Sequence, residues 1–395
     1  MEQITIITQY FYPSHAATAQ LMTDLAKGLS QKGYQINIFT GTQAKDTTPE
    51  LSNQAIINRA FSPIAASTSI FNKIICSIFF LLGALKYVIL LPRPTLLLIA
   101  SNPPYAGILG TIFKIVRGGK YHFLLQDIFP ESAVMSGIIQ PNSFSVIFLK
   151  KLIYLTYKYA DNIIVLSTSM QYFLENKYPE LKEKIKVIEN WAVEDIISCD
   201  KQANDFAQQY NLDKVFTVLY SGNMGRLHDI ETIAEAANIL KNAPIQFVFI
   251  GDGAKTKVLK QAIQSNKLKN ILLLPYQPRE ILHLSLTACD LSLVSLIPGA
   301  ESIVAPSKLY GMLAAGRGII AISSANSYID QLLTNSGCGI NTPPNNPQHL
   351  ANLINELASD SIKVKLMGEK ARQVYESKYT FKRALAEYEK LLFGI

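Results

Sequence analysis

The chain has 395 residues, 49% of them hydrophobic and 17% charged, with a formal net charge of +7. That length exceeds one ordinary core, and the balance of apolar mass over charge excludes a disordered chain, so two globular domains are expected. The four cysteines, at 76, 199, 289 and 338, form no CxxC pair and no metal-ligand cluster, which points to a reduced cytoplasm.

Met1-Glu2 leads almost directly into the apolar run ITII without a basic leader, so no signal peptide is expected. QITIITQY (3–10) reads as a buried strand. ATAQLMTDLAKGLSQKG (17–33) reads as a helix with Leu21, Leu25 and Leu29 in one stripe and Gly33 as its stop. YQINIFTG (34–41) closes a βαβ unit, the sign of a parallel sheet with helices on its faces. IICSIFFLLGALKYVILL (74–91) nearly reaches the length of a membrane span, but Lys86 interrupts it and Pro92 and Pro94 close it. A buried helix, an interfacial helix and a span are all open readings of it. TLLLIAS (95–101), YHFLLQD (121–127), NIIVLS (162–167) and KVIENW (186–191) continue the strand series.

A polar stretch, 193–213, reads as a linker between a first domain, 1–192, and a second, 214–375. There the alternation restarts with strands at 215–222, 245–253, 270–276, 291–297 and 318–323, and helices between them. The final segment, 376–395, holds an amphipathic helix with Phe381, Leu385, Tyr388 and Leu392 in line.

Charge is uneven along the chain. Residues 51–160 hold ten Lys/Arg and two acids, a net +8 that contains the whole excess. Nucleic acid is one partner for such a stretch. An anionic membrane surface suits it better, because the same stretch is the most apolar in the chain.

In open α/β sheets ligands bind beyond the carboxyl ends of the strands. Three loops of the second domain fall there: SGNMGR (221–226), GDG (251–253) and APSK (305–308). Gly222 and Gly225 admit a close backbone approach, and Arg226 adds charge. The start of the helix after Ser307, together with the Lys308 ammonium, would favour an anion, most simply a diphosphate. The competing readings are that Ser307 only caps its helix, that Lys308 is solvated, and that GDG is an ordinary turn. Gly251-x-Gly253-x-x-Thr256 lacks the third glycine of a dinucleotide fingerprint, and no GxxxxGK[ST] occurs. No DxD pair occurs and the five histidines are isolated, so no metal is expected. Asp127, at the end of a predicted strand, could orient or deprotonate an acceptor hydroxyl, or cap the next turn. His122 reads as a core residue.

The loops SGNMG, GDG and PSKLYGMLAAGR, in that order and spacing, resemble the C-terminal half of glycosyltransferase family 4. YFYPSHAATAQLMTDLAKGLSQKGYQINIFTG, SNPPY, QDIFPESAVMSG, LSTSM and IENW resemble the branch of that family that builds bacterial surface polysaccharides, including N-acetyl-fucosamine-type transferases. The resemblance implies the GT-B fold, two Rossmann-like domains with parallel sheets facing across a cleft. It implies retaining transfer without a metal or other cofactor, with a nucleotide-sugar donor on the second domain and an acceptor on the first. By position it carries the diphosphate to Arg226 and Lys308, the loops around it to Gly222, Asn223, Gly251 and Gly253, the base to Tyr276 and Gln277, and adds Ser307 and Leu309 to the donor-binding set. Glu301 is the candidate partner of a sugar hydroxyl. The Glu-x7-Glu pair common in the family falls at Ile303 and Gly311, and its Gly-Gly acceptor-side loop at His15-Ala16.

The expected function is transfer of an N-acetylated hexosamine or deoxyhexosamine from a UDP-sugar to a polyprenyl-diphosphate-linked saccharide. The enzyme would sit on the inner face of the plasma membrane. The rivals are a UDP-sugar 2-epimerase of the same fold and a non-catalytic scaffold relative.

Overall fold

A computed structural model of the chain describes residues 2–14, 16–41, 55–62, 70–92, 95–192 and 196–394. It divides into two units. One holds Met1–Glu189, Ile303–Ala305 and Lys382–Ile395; the other holds Asn190–Ser302 and Pro306–Phe381.

The first unit runs β1 (Gln3–Thr8), α1 (Ala17–Gln31), β2 (Gln35–Thr40), β3 (Ala55–Arg59), α2 (Ile70–Leu90), β4 (Leu96–Ala100), α3 (Ile108–Arg117), β5 (Lys120–Leu124), α4 (Glu131–Met135), α5 (Phe144–Tyr159), β6 (Asn162–Val165), α6 (Thr168–Lys177) and β7 (Ile185–Val187). Its seven parallel strands lie in the order β3-β2-β1-β4-β5-β6-β7. Continuous apolar runs such as LLLIA in β4 form because a parallel sheet is covered on both faces. The α1 stripe points inward, with Leu21, Leu25 and Leu29 buried. Strand β3 carried no clear signal in the sequence: it lies at the sheet edge and AIINR is only partly covered.

Helix α2 covers one face of this sheet. It buries Ser77, Phe80, Ala84 and Val88 and turns Ile74, Ile78, Leu82 and Lys86 outward at four-residue spacing. Among the described residues no helix is long and apolar enough to cross a membrane. Helix α3 packs against both α2 and α5, so the three lie side by side.

The second unit runs α7 (Asp205–Gln209), β8 (Phe216–Ser221), α8 (Ile230–Ile239), β9 (Ile245–Ile250), α9 (Thr256–Asn266), β10 (Ile271–Leu274), α10 (Leu282–Thr287), β11 (Leu291–Ser295), α11 (Lys308–Ala315), β12 (Gly318–Ile322), α12 (Tyr328–Ser336), β13 (Gly339–Thr342), α13 (Pro347–Ala358) and α14 (Ser361–Lys378). Six parallel strands take the order β10-β9-β8-β11-β12-β13. The stretch expected as a linker differs from that reading where it is described. Asn204 accepts from the N–H groups of Phe206 and Ala207 at 2.9 and 3.2 Å and so starts α7, whose Phe206 and Ala207 are buried. Polar composition hid this short packed helix.

The last helix, α15 (Phe381–Phe393), belongs to the first unit from Lys382 onward. Phe393 stacks on Tyr34 with ring centroids 4.1 Å apart, and Glu389 accepts from Tyr34 Oη at 2.9 Å and pairs with Lys32.

Candidate functional site

The carboxyl edge of the second sheet gathers three loops. After β8 the chain turns at Gly222, whose N–H donates to Ile250 at 2.8 Å. After β9 it turns at Gly251, whose N–H donates to Leu274 at 3.0 Å. The two turns touch: a Cβ on Gly251, whose φ is +128°, would lie 2.3 Å from the Gly222 carbonyl oxygen. A Cβ on Gly253 would meet Met224 O at 2.5 Å and Asn223 Oδ1 at 2.6 Å. Glycine is therefore required at 251 and 253 by close backbone approach. Met224 N–H donates to Asp252 O at 3.0 Å and Tyr276 Oη to the same oxygen at 3.3 Å, which ties in the loop after β10. GDG is thus part of a knitted cradle rather than an isolated turn.

Lys308 opens α11 and reaches into that cradle. Its Nζ donates to Asn223 O at 3.1 Å and to Tyr220 Oη, and lies 3.7 Å from the Tyr220 ring centroid. Its Cε would be 3.4 Å from a Cβ on Gly222. The side chain keeps some solvent access, yet surrounding protein desolvates it and holds its ammonium well below the ordinary lysine range. Ser307 occupies the cap position, but its hydroxyl makes no capping bond, and the first turn of α11 carries no acid. Leu309 turns inward, and its N–H is spent on Pro306 O at 3.1 Å. Arg226 and Asn223 are exposed at the rim. Tyr276 is exposed too, while the Gln277 amide is held by Pro275 O at 2.8 Å.

Glu301 is only 4% exposed, and its Oε2 has no hydrogen-bond partner. A buried carboxylate oxygen left open in this way suits a ligand hydroxyl. Ile303 is buried, and its carbonyl accepts from Ile128 N–H at 2.8 Å. A Cβ on Gly311 would face Leu286 and Ile196 at 3.4 and 3.9 Å, an apolar setting.

In the first unit β5 stops at Leu124, so Asp127 lies beyond the strand it was expected to end, and its backbone bridges Val304. The Asp127 side chain keeps contact with solvent although protein crowds it, and that crowding pushes its carboxyl up to about 6. Ala16 is exposed at the start of α1. His15 lies outside the described residues. His122 is buried, accepts from Asn162 Nδ2 at 3.0 Å, and burial lowers its imidazole to about 4, as a core residue requires.

Two side chains in the cradle escaped the sequence reading. Tyr220 sits inside a strand and reads as core, yet its Oη links Asn223 O at 3.0 Å to Lys308. His228 lies 2.7 Å, through Nδ1, from the Ser295 carbonyl, which can only accept, so Nδ1 carries the proton. Burial and then the nearby Lys308 charge lower its imidazole to about 3, so the ring is neutral and Nε2 is an acceptor. A separate opening of about 780 Å³ lies at the opposite, amino edge of the sheet, lined by Lys201, Asp290, Arg317 and Arg372 among others. Three of its cations are engaged: Lys201 with Asp290 at 2.5 Å, Arg317 with Thr287 O at 2.7 Å, and Arg372 with Ala314 O at 2.7 Å.

Residues 201–374 match the family described as glycosyl transferases group 1. The chain is 25% identical over 385 residues to the probable glycosyltransferase WbjE of Pseudomonas aeruginosa, covering 96% of this chain and 95% of that protein. It is 31% identical over 180 residues to the putative colanic acid biosynthesis glycosyl transferase WcaI of Escherichia coli K12, 44% of this chain and 43% of that one. The sucrose-phosphate synthase tll1590 from Thermosynechococcus elongatus superimposes with a TM-score of 0.80 at 16% identity, over 99% of this chain and 98% of that one. Anabaena Alr3699/HepE in complex with UDP and glucose does so with a TM-score of 0.75 at 14% identity, over the full length of both. With two parallel-sheet Rossmann-like units and a group 1 domain over residues 201–374, the chain is a glycosyltransferase of the GT-B fold.

Proposed function

We propose that this enzyme transfers an N-acetylated hexosamine or deoxyhexosamine from a UDP-sugar, with retention, to a polyprenyl-diphosphate-linked saccharide in surface polysaccharide synthesis. Its place is cytoplasmic, against the inner face of the plasma membrane. The observation that carries the donor half is the cradle: the loops after β8, β9 and β10 are tied together by close backbone approach and hydrogen bonds, and Lys308, from the uncapped start of α11, reaches the first of them at Asn223 O. UDP in the related HepE structure and the colanic acid role in the name of WcaI support the donor and the pathway class.

In this reading the bond between the anomeric carbon and the β-phosphate oxygen breaks and its electron pair leaves with UDP. Lys308, Arg226 and the positive end of α11 neutralise that charge. The acceptor hydroxyl oxygen forms the new bond while Asp127, which orients it, takes up its proton. Glu301 Oε2 takes a hydroxyl of the donor sugar.

The test is a screen of purified protein with membrane lipid extract and UDP-, GDP- and dTDP-sugars, reading released nucleotide. Acceptor-dependent UDP release supports the proposal. Free UDP with an epimerised sugar and no acceptor requirement would make it an epimerase, and binding without turnover a scaffold.

Activity should survive EDTA, since fixed positive charge at the leaving group takes the place of a metal. A chelated enzyme that is inactive and is restored by Mg²⁺ or Mn²⁺ sinks this part of the proposal.

A further inference from the structure

The start of α5 exposes an unusual set of side chains. Phe144 is 83% exposed, Phe148 57% and Ile147 51%, and Ile138 in the preceding turn is 65% exposed. Large exposed apolar groups gathered in one segment mark an interaction site. Lys150, Lys151 and Lys158 follow on the same helix, all exposed. From Ser132 through Ala160 the chain holds no acid at all. Phe144, Phe148, Lys151, Leu155 and Lys158 fall in one line at spacings of four, three, four and three residues.

Topology fixes where this line begins. Helix α5 leads from β5 back to the start of β6, parallel to it, so it runs against the strands. Its first turn therefore lies at the carboxyl edge of the first sheet, the edge that carries Ala16 and Asp127. Ser143 caps that turn by accepting from Val146 N–H, which holds Phe144 and Ile147 on a formed helix.

We infer that the first turns of α5 are a membrane-insertion wedge: Phe144, Ile147 and Phe148 enter an anionic bilayer while Lys150, Lys151 and Lys158 meet its headgroups. The inference rests on the proposed lipid-linked acceptor and names the element that brings the acceptor edge to it. Charge complementarity selects the bilayer, because an acid-free helix with three exposed lysines is matched by anionic lipid. The outward stripe of α2 lies two helices away and is not the leading element.

The test is flotation with phosphatidylglycerol-containing and with pure phosphatidylcholine vesicles. Wild type should partition roughly ten-fold or more in favour of the anionic vesicles, with a part that resists high salt. Phe144→Ser/Ile147→Ser/Phe148→Ser should lose the salt-resistant part, and Lys150→Gln/Lys151→Gln/Lys158→Gln the salt-sensitive part, both keeping UDP affinity. Phe148→Trp should float as wild type and shift its emission to the blue on anionic vesicles. The inference is overturned if the apolar triple variant floats as wild type, or if the loss follows Ile78→Ser/Leu82→Ser instead. It is also overturned if sedimentation shows α5 pairing two copies without lipid. Absent sugar transfer with intact flotation would count against the proposed function and leave the wedge standing.

Discussion

Lys308→Ala should weaken UDP binding by roughly 10- to 150-fold, or about 1.5–3 kcal/mol, the worth of one charge-assisted hydrogen bond to a buried anion. Its Nζ is the charged donor that reaches into the cradle, at 3.1 Å from Asn223 O and bonded to Tyr220 Oη. UDP and UDP-sugar should lose nearly the same affinity, because both present the same diphosphate. Arg226→Ala should fall at the low end of that range, since its side chain is exposed. Desolvation holds the Lys308 ammonium low, and a diphosphate beside it would raise it again. Binding should then take up a proton and weaken as pH rises. Calorimetry in two buffers of different ionisation enthalpy reads both effects. Unchanged UDP affinity in Lys308→Ala would show that the diphosphate lies elsewhere.

Asp127→Asn should cut turnover by about 10²- to 10⁴-fold, the usual span for a positioned proton acceptor, with UDP affinity unchanged because the donor loops belong to the other unit. Wild-type activity should fall as pH drops through about 6, where the carboxyl takes its proton. The stability effect has the opposite sign. A carboxyl raised above its unfolded value binds its proton more tightly in the fold. Its contribution therefore favours folding at low pH and is lost as pH rises through about 6. The asparagine variant should lack that dependence. A variant with full turnover, or a profile flat across pH 5–7, would leave Asp127 as a turn residue only.

Much of the fold was legible because parallel strands read as unbroken apolar runs. LLLIA and FTVLYS mark β4 and β8 to within one residue at each end, and IQFVFI marks β9, which stops three residues before the expected end at 253. Of the edge strands, β7 and β10 were read from their apolar runs, whereas β3 and β13 were not, since half-covered segments such as AIINR and GINT need no apolar run. In the site, glycines and lysine stood out by residue type. Tyr220 and His228 did not, because an aromatic in a strand and a lone histidine are usual core residues.

By itself the sequence determined two α/β units, the loop positions at the strand ends, and a basic, apolar first half. Each is a local matter of period, turn residues or charge count. Only the tertiary structure decided which of these residues act together. Gly251 and Gly222 are 29 positions apart, and Lys308 is 85 beyond Asn223, yet the two backbone turns touch and the Lys308 ammonium donates to Asn223 O. The same holds for the exposed face of α5, whose apolar residues look like any buried helix in the sequence. Burial is a property of what packs on a residue, and no spacing along a chain records that.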